Sequence, residues 1–283
     1  MKMDLLRFIG ASSVDFPIIG ADASGPFVLK NVDGLGPPDV TVRLARTTLE
    51  KAQYQGKSAG LRQIIATVGL SPNWDIGQTA EELRTILYGL LTPRYGAMVR
   101  AEIHNDGSTV AFAQGQVSKM EPAIFTQDPA VVITLDCDYP YLLAPSIIQQ
   151  EPVQSTIGGI RAFTVQNEGT APAGFIAGFI LRANVGLTLT LSDENAAGQK
   201  MQIQGINWQS GDRFVIDTRP GSRGVWRGIG GGGALSSVLN NVNGATSEWL
   251  QLYGGDNTLL LNTTAFDWDP AYLFNHQPAY WGV

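Results

Sequence analysis

The sequence has few residues of the types that bind metals or form disulfides. It contains one cysteine, Cys137, and two histidines, His104 and His276, among 283 residues. A single cysteine excludes an internal disulfide framework and a cysteine-rich zinc site, and it suits a protein made in a reducing cytoplasm. Two histidines exclude a metal site built from several histidines. We therefore expect no metal and no cofactor, and we expect Cys137 to behave as a small buried apolar residue.

Long apolar runs are also missing. The run Ala173–Leu181 is one of the longest, and it falls well short of the roughly 20 residues that a membrane-spanning helix needs. The N-terminal residues mix Lys2, Asp4, Arg7 and Asp15 with apolar side chains, which is unlike the single apolar run of a signal peptide. We expect a soluble protein that is not exported by the Sec route and does not insert into a membrane.

Positive charge is scarce. The net charge is −6, the isoelectric point is near 4.9, and no Lys or Arg occurs from Gly228 to Val283. Residues 1–150 carry 12 basic and 15 acidic side chains and residues 151–283 carry 7 and 10, so each part has a net charge of −3. Because a nucleic-acid-binding domain normally presents a basic face, the charge disfavours DNA binding by either part.

No convincing enzyme motif is present. The glycine-rich stretch Gly228–Gly233 lacks the lysine and the following Ser or Thr of a phosphate-binding loop. Two close carboxylate pairs, Asp267 with Asp269 and Asp212 with Asp217, could suggest glycoside hydrolysis. Catalytic carboxylates usually converge from separate strands, however, so turn capping or solvent exposure is the more common role for such neighbours. We predict that the protein is not an enzyme.

The stretch Gln204–Arg223 shows the local pattern most clearly. Phe214 and Ile216 alternate with polar residues, which is typical of a strand, and Ser210-Gly211 and Pro220-Gly221 provide turn residues at its two ends. We predict two short strands that are joined by a tight turn and ended by a second turn.

The N-terminal half is predicted to be mainly β, with one helix and one hairpin. Thr79 caps a segment that has acids in its first turn and leucines at helical spacing up to Leu91. The turn His104-Asn-Asp-Gly107 lies between two alternating runs, so Met98–Val117 is predicted to be a hairpin.

The C-terminal half is predicted to be entirely β. A stretch without sustained periodicity, Ala144–Gly159, places a domain boundary near residue 150. Turn signals then recur about every 8 to 12 residues, as expected of a sandwich or barrel. The predicted strands are Arg161–Val165, Gly174–Asn184, Leu187–Ser192, Lys200–Trp208, Arg213–Thr218, Gly224–Arg227, Trp249–Tyr253 and Thr258–Thr263.

The C-terminal half also holds a candidate contact surface for a partner or a glycan. Four arginines lie within 15 residues, and five of the six tryptophans fall in the last 76 residues. Clustered aromatic rings on a β-sandwich can stack on sugars, although such rings more often form the core. The candidate surface residues are Arg219, Arg223, Trp226, Arg227 and Trp249.

The order of motifs along the whole chain resembles that of the distal tail proteins of long-tailed, non-contractile bacteriophages, also called the siphovirus tail component family. The helix and the hairpin contribute to this resemblance. The other motifs are Phe27-Val-Leu-Lys-Asn-Val-Asp-Gly-Leu-Gly-Pro-Pro-Asp-Val40, Tyr54-Gln-Gly56, Ala113-Gln-Gly-Gln-Val117, Asp136-Cys-Asp-Tyr-Pro-Tyr141, Val165-Gln-Asn-Glu-Gly-Thr-Ala-Pro172, Ser210-Gly-Asp-Arg-Phe-Val-Ile-Asp217, Arg219-Pro-Gly221 and Tyr280-Trp-Gly282.

The resemblance implies a fold. It implies an N-terminal β-sandwich with one α-helix and a β-hairpin in residues 1–150, which forms the ring. It implies a C-terminal β-sandwich in residues 151–283, of the galectin-like or carbohydrate-binding-module-like jelly-roll type, which faces outward. Where the final residues from Asp267 onward pack stays open: on the second domain, on the first, or on a neighbour.

The resemblance also implies a role and a set of partners. The role is that of a structural virion protein at the distal end of the tail, assembled in the host cytoplasm as a homohexameric ring. The ring joins the tail tube protein to a tail-associated or tail-tip hub protein, and it anchors receptor-binding proteins in many members. Phage DNA would pass through an acidic channel without specific binding. The alternative is a carbohydrate-binding tail module that contacts host glycans.

A ring needs a heterologous subunit interface, in which a patch meets a different patch on the next copy. We expect the hairpin Met98–Val117 to supply it, because unpaired strand edges associate readily and its apolar arms exceed what an isolated ribbon can bury. The alternative is that these arms pack only on their own domain. The candidate interface residues are Val99, Ile103, Val110, Phe112 and Val117.

Overall fold

The computed structural model describes residues 5–9, 15–19, 25–46, 52–91, 98–123, 128–157, 160–184, 188–193, 199–230, 233–269 and 274–283. The chain divides into two compact units. The first consists of Met1–Pro145 with Tyr280–Val283, and the second of Ser146–Ala279. The chain therefore changes unit twice, once between Pro145 and Ser146 and once between Ala279 and Tyr280.

The first unit contains ten of the described strands, one α-helix and one 3-10 helix. The strands are β1 (Leu5–Ile9), β2 (Asp15–Ile19), β3 (Phe27–Asp33), β4 (Val40–Arg46), β5 (Ala52–Ala59), β6 (Gln63–Leu70), β7 (Val99–Asn105), β8 (Ser108–Pro122), β9 (Ala130–Cys137) and β10 (Leu142–Leu143). The helices are the 3-10 turn η1 (Trp74–Ile76) and α1 (Ala80–Leu91).

One hydrogen-bonded sheet forms the body of the first unit, in the order β10-β8-β7-β1-β2-β3-β6-β9, with a further pairing between β8 and β9. The long strand β8 pairs with β7 up to Gly115 and with β9 from Gly115 onward. A Cβ atom at Gly115 would overlap the backbone of Asp136, so the close approach at this change of partner requires glycine. The enclosed core contains Leu6, Ile64, Ile103 and Leu135, all without solvent exposure.

The strands β4 and β5 form a separate two-stranded sheet. They pair antiparallel from Val40 opposite Ala59 to Arg46 opposite Ala52. The backbone amide of Gly60 donates to the carbonyl of Asp39 and closes the base of the pair. We call this element the β4–β5 ribbon.

The predicted helix is confirmed as α1. Thr79 and Glu82 form a reciprocal cap, in which the Thr79 hydroxyl accepts from the Glu82 amide at 3.2 Å and the Glu82 carboxylate accepts from the Thr79 amide at 3.0 Å. Leu83, Leu87 and Leu91 are buried at helical spacing, so one face of α1 covers the sheet.

The predicted hairpin is also confirmed. Strands β7 and β8 pair from Val99 opposite Gly115 to Asn105 opposite Ser108. The two turn residues, Asp106 and Gly107, have φ values of 50° and 73°. Both lie in the left-handed region that an Asp-Gly pair tolerates.

The described residues of the second unit form strands and one 3-10 turn, η2 (Leu239–Asn241). Its strands are β11 (Ile148–Gln150), β12 (Val153–Ile157), β13 (Ile160–Asn167), β14 (Phe175–Leu181), β15 (Thr188–Asp193), β16 (Lys200–Gln204), β17 (Arg213–Asp217), β18 (Gly224–Gly228), β19 (Leu235–Ser237), β20 (Gly255–Leu261), β21 (Phe266–Trp268) and β22 (Phe274–His276). A last short strand, β23 (Ala279–Tyr280), spans the second change of unit and joins β10.

Two antiparallel sheets form the second unit. One has the order β11-β22-β14-β17-β18-β19, with β21 also on β14, and the other has the order β12-β13-β20-β15-β16. Their shared core is rich in aromatic rings: Phe163 and Phe179 are 5.0 Å apart, and Phe179 and Phe214 are 5.8 Å apart. The predicted β-sandwich is confirmed.

Two local predictions in this unit are wrong. Strand β16 ends at Gln204 and pairs with β15, whereas β17 pairs with β14 in the other sheet. The chain between them crosses from one sheet to the other and does not form a hairpin. The predicted strand Trp249–Tyr253 is reduced to one bridge between Leu252 and Ala173. Leu250 and Leu252 are buried there, so their alternation reflects burial of an irregular segment.

No helix among the described residues is long and apolar enough to cross a membrane.

Candidate interaction surfaces

The β7–β8 hairpin lies inside its sheet. Strand β7 pairs with β1 and β8, and β8 pairs with β7, β9 and β10. Val99, Ile103 and Val117 are buried in the core of their own unit. The hairpin therefore lacks the unpaired edge on which the predicted subunit interface was based. Among the five candidate residues only Val110 is partly exposed, and the interface stays a prediction.

Phe112 is buried on the opposite face of the hairpin, outside the core. The guanidinium carbon of Arg100 lies 3.7 Å from the centroid of the Phe112 ring, and Arg100 also contacts Glu102 at 2.9 Å. His104 lies 3.3 Å from the other oxygen of Glu102. Arg100 therefore covers the Phe112 ring and is itself held by Glu102.

Three arginines of the basic segment are paired with carboxylates. Arg219 binds Asp217 through two nitrogens at 3.0 and 2.8 Å, and this bond raises the pKa of the Arg219 guanidinium. Arg213 lies 3.0 Å from Asp269. The positive charge of this segment is thus largely neutralised within the fold.

The third pair joins Arg227 to Asp212, which is buried. Arg227 Nε donates to Asp212 at 2.9 Å, and Arg227 Nη2 donates to the carbonyl of Asn207 at 2.9 Å. The Asp212 carboxylate also accepts from the amide of Gln209 at 3.0 Å. The pair therefore fixes the chain that crosses between the two sheets.

Arg223 is the exposed residue of the candidate surface, and Trp249 beside it is partly buried and packs against the core of the second unit. The exposed Arg223 places its guanidinium carbon 5.7 Å from the centroid of the Trp249 ring. Trp226 is half-buried and lies over Gly224, where a Cβ atom would overlap its ring. Because Arg223 occupies one face of Trp249, a sugar could stack there only if it displaced the arginine.

The other clustered tryptophans are structural. Trp208 and Trp268 are buried in the core of the second unit. Trp281 belongs to the first unit, where its ring and that of Tyr141 are T-shaped, with centroids 4.8 Å apart. Part of the aromatic cluster therefore packs within the fold, which is the more common role of such rings.

The carboxylates considered for catalysis serve as partners of arginines. Asp267 contacts Arg161 and, at 2.9 Å, Arg182. The sequence has one Gly-x-Ser-x-Gly match, Gly56–Gly60, but it includes the end of strand β5, whereas a nucleophile elbow needs a strand-to-helix turn. Among the described residues, no group of three or more His, Cys, Asp or Glu could hold a metal ion.

His276 and Cys137 are buried in the cores of different units. His276 has no solvent exposure, and neither ring nitrogen reaches a hydrogen-bond partner among the described residues. Burial lowers the pKa of His276 to about 4. Burial likewise raises the pKa of the Cys137 thiol to about 12. Cys137 is thus the small buried residue that the sequence predicted.

Arg62 is a central residue of the first unit that no sequence pattern marks. This buried side chain donates to four backbone carbonyls: Gly34, Gly36 at 2.9 Å, Pro140 at 2.9 Å and Trp281 at 2.7 Å. The acceptors belong to three of the motifs that carry the family resemblance. Burial lowers the pKa of the guanidinium. We call this arrangement the Arg62 clasp.

A buried asparagine explains a fourth motif, Val165 to Pro172. Asn167 accepts from the amide of Gly169 at 3.0 Å and donates to the carbonyl of Leu252 at 3.0 Å. Asn257 holds the neighbouring turn by donating to the carbonyls of Tyr253 and Gly255, each at 2.8 Å. These side chains replace backbone partners that the irregular loops lack.

Comparison with known proteins finds similarity in structure and none in sequence. No protein-family model matches the chain, and no curated protein matches it either. Two structures of the phage P2 baseplate in its activated conformation, with Ca and with Sr, have TM-scores of 0.42 and 0.41 at 10% and 9% identity. They cover 96% of this chain and 98% and 97% of those chains, and at this level they carry no argument.

A higher similarity is found to the Dit protein of SPP1, a hub of the adsorption apparatus in phages that infect Gram-positive bacteria. The TM-score is 0.56 at 11% sequence identity, over 97% of this chain and 98% of that chain. The chain therefore has the SPP1 Dit fold along nearly its whole length, and the fold implied by the resemblance to distal tail proteins is confirmed.

Proposed function

We propose that the protein is a structural component of a phage tail, a distal tail hub. The observation that carries this proposal is the match to SPP1 Dit, because it extends over 97% of the chain and so includes both units. A shared single domain would say little about function. Two different β-rich units in the same order are a more specific likeness.

The proposed hub is a homohexameric ring at the distal end of the virion tail, assembled in the host cytoplasm. It joins the tail tube protein above to a tail-tip or tail-associated protein below and anchors receptor-binding proteins. The first unit would form the ring and the second would face outward. The net charge of −6 suits a channel through which DNA slides without binding.

Light scattering of the purified full-length protein tests the ring. Six copies of the 30.3 kDa chain predict a mass of about 182 kDa. The mass should stay constant over a tenfold dilution, since a closed ring has a defined size. A monomer at every concentration, or a mass that grows without limit as in an open filament, would contradict the hexamer.

No catalytic step is proposed. The four carboxylates of the two close pairs, Asp267 with Asp269 and Asp212 with Asp217, are each bound to an arginine, and this structural role suffices to explain their presence. A hub holds its neighbouring proteins in position. This role requires contact surfaces for those proteins and a stable fold.

Glycan binding by the second unit is the alternative function. The half-buried Trp226 and the Arg223–Trp249 pair are the observations in its favour. A glycan array tests it with wild-type protein and with Trp226→Ala and Trp249→Ala. Saturable binding that either substitution abolishes would support this role, and Leu61→Ala, at an exposed apolar residue of the first unit, is the control.

A further inference from the structure

Three side chains face outward from an irregular segment of the second unit. Leu250 and Leu252 are fully buried, whereas Trp249 and Gln251 are partly exposed and Tyr253 is 39% exposed. This alternation is that of an extended chain, in which the side chains of every second residue share one side and four residues span roughly 13 Å. We call Trp249, Gln251 and Tyr253 the outer row.

The outer row is held in place by Gln199. The side-chain oxygen of Gln199 accepts from the backbone amide of Gln251 at 3.3 Å, and its side-chain nitrogen donates to the Tyr253 hydroxyl at 3.0 Å. The backbone amide of Glu248 donates to the carbonyl of Lys200 at 2.8 Å, so the segment runs beside the start of strand β16. Because the Tyr253 hydroxyl is already bonded, little conformational entropy would be lost when a ligand covers the ring.

A positive charge lies at the Trp249 end of the outer row. Three of the four arginines in the basic segment contact carboxylates within the fold. The fourth, Arg223, is exposed and contacts no carboxylate among the described residues. Its guanidinium carbon lies 5.7 Å from the centroid of the Trp249 ring. Trp249 therefore supports the Arg223 guanidinium, which stays accessible to an anion from outside.

The sequence around Arg223 favours an anionic ligand at this end. No acidic residue occurs from residue 218 to residue 247. Lys200 and Glu248, beside the outer row, are both exposed and carry opposite charges, so they offset each other. The planar fork of an arginine binds a carboxylate or a phosphate through two parallel hydrogen bonds. A ligand that suits Arg223 therefore carries one of these two groups.

The rest of the outer row suits a sugar. The partly exposed ring of Tyr253 can stack on a sugar ring. The side-chain amide of Gln251 is partly exposed and makes no hydrogen bond to another described residue, so its donor and acceptor are available to hydroxyl groups. The outer row contains no aliphatic side chain, which disfavours an apolar protein surface as the occupant.

We propose that the outer row and Arg223 bind an acidic polysaccharide. A carboxylate or phosphate group of the polymer pairs with Arg223, a sugar ring further along covers Tyr253, and Gln251 bonds to a hydroxyl between them. Since roughly 13 Å separates the two ends of the row, the ligand is a chain of sugars and not a single one. This inference goes beyond the proposed hub, does not depend on the ring, and gives the glycan-binding alternative a site and a ligand class.

Four polymers test the ligand class by isothermal titration calorimetry of the full-length protein. Polygalacturonate carries carboxylates on sugars, phosphomannan carries phosphates on sugars, dextran is a neutral glycan, and polyphosphate has charge without sugar. We expect saturable binding of at least one acidic polysaccharide, and the stronger of the two identifies the acidic group. Dextran and polyphosphate should bind about tenfold more weakly, because each lacks one of the two kinds of contact.

Substitutions locate the site. Arg223→Gln should lower the affinity for the acidic polysaccharide about tenfold or more, because it removes charge-assisted hydrogen bonds. Tyr253→Ala should lower it about threefold to tenfold, whereas Tyr253→Phe keeps the ring and should retain most of the affinity. The matched control is Arg182→Gln, which removes an arginine of the same unit whose side chain is 63% exposed, and it should change the affinity little.

Two further measurements support the reading of these variants. Circular dichroism spectra like that of the wild type should show that all variants fold. Wild-type binding should weaken as NaCl rises from about 50 to about 500 mM, because salt screens the charge pair at the surface. Arg223→Gln should reduce this dependence on salt, and Arg182→Gln should not.

The outcomes separate this inference from the proposed hub. Binding that Arg223→Gln and Tyr253→Ala both leave unchanged overturns the site. Equal binding of polyphosphate, or a loss with Arg223→Gln but none with Tyr253→Ala, means attraction by charge alone and overturns the polysaccharide. Equal binding of dextran overturns the acidic group, and no saturable binding of either acidic polysaccharide overturns the whole inference. The mass from light scattering tests the ring by itself, so a hexamer that binds no polysaccharide leaves the hub intact.

Discussion

The guanidinium of Arg62 donates a 2.7 Å hydrogen bond to the carbonyl of Trp281, which lies 219 residues further along the chain. This bond holds residues 280–283, which follow the second unit in the sequence, on the first unit. The backbone amide of Val283 adds a bond of 3.3 Å to the carbonyl of Leu35. The first unit therefore depends on both ends of the sequence.

Loss of the Arg62 clasp should destabilise the first unit. Arg62→Met would leave the carbonyls of Gly34, Gly36, Pro140 and Trp281 without their donor, so we expect a loss of about 3 kcal/mol or more in the free energy of unfolding. Arg62→Lys should lose less stability than Arg62→Met but more than none. The lysine ammonium can still donate, but it cannot reach four separated acceptors. Urea unfolding of the full-length protein measures both.

The same clasp predicts coupling to the C-terminus. Removal of residues 281–283 should make a further Arg62→Met substitution less costly than it is in the intact chain, because one acceptor is already gone. If the stability losses caused by the truncation and by Arg62→Met simply add, Arg62 does not act through the C-terminal segment.

His276 should make the second unit sensitive to acid. Its folded pKa is lowered to about 4 from an ordinary value of 6.5, so between these values the unfolded chain binds more protons than the folded one. Stability is fully present above about pH 6.5 and is lost as the pH falls toward 4, by up to about 3 kcal/mol. Urea unfolding at several pH values, followed by tryptophan fluorescence, measures the loss.

The variant His276→Leu provides the control for this effect. It removes the titrating group from an apolar site, so its stability should fall less than that of the wild type over the same pH range. Parallel pH profiles of the two proteins would rule out His276 as the source of the sensitivity.

The Arg227–Asp212 pair should contribute more to the free energy of unfolding than an exposed ion pair does. Asp212→Asn leaves the guanidinium of Arg227 without its counter-ion, and we expect a loss of about 3 kcal/mol in the free energy of unfolding. Glu121→Gln, in the exposed pair of Lys119 and Glu121, should cost no more than about 1 kcal/mol. Equal losses in thermal or urea unfolding would argue against a structural role for the buried pair.

Cys137 should not react in the folded protein. Its thiol is 3% exposed, and its pKa is raised to about 12, so little thiolate exists at pH 8. A thiol reagent such as DTNB should label it only after unfolding. Ser222→Cys, at an exposed turn, provides a reactive control, and rapid labelling of wild-type protein would contradict the assigned burial.

Local signals predicted the elements that depend on local chemistry. The Thr79–Glu82 cap, the Asp106-Gly107 turn and the alternation around Phe214 each act within a few residues, and the structure has all three elements. The path after Gln204 was not predictable in this way, because strand periodicity does not indicate which sheet a strand joins.

The sites depend on contacts that sequence spacing does not show. Arg62 has backbone acceptors from three distant segments, so nothing near it in the sequence marks it as buried. The partners of Arg213 and Arg227 are likewise visible only in the fold. Three of the motifs that suggested a family share one structural role, since all of them supply carbonyls to the Arg62 clasp.

Electron microscopy of the purified full-length protein shows directly whether this chain builds a tail hub. We expect class averages of a closed ring with six-fold symmetry and an open central channel. Single compact particles without a channel, in a sample concentrated well above the level used for light scattering, would contradict it.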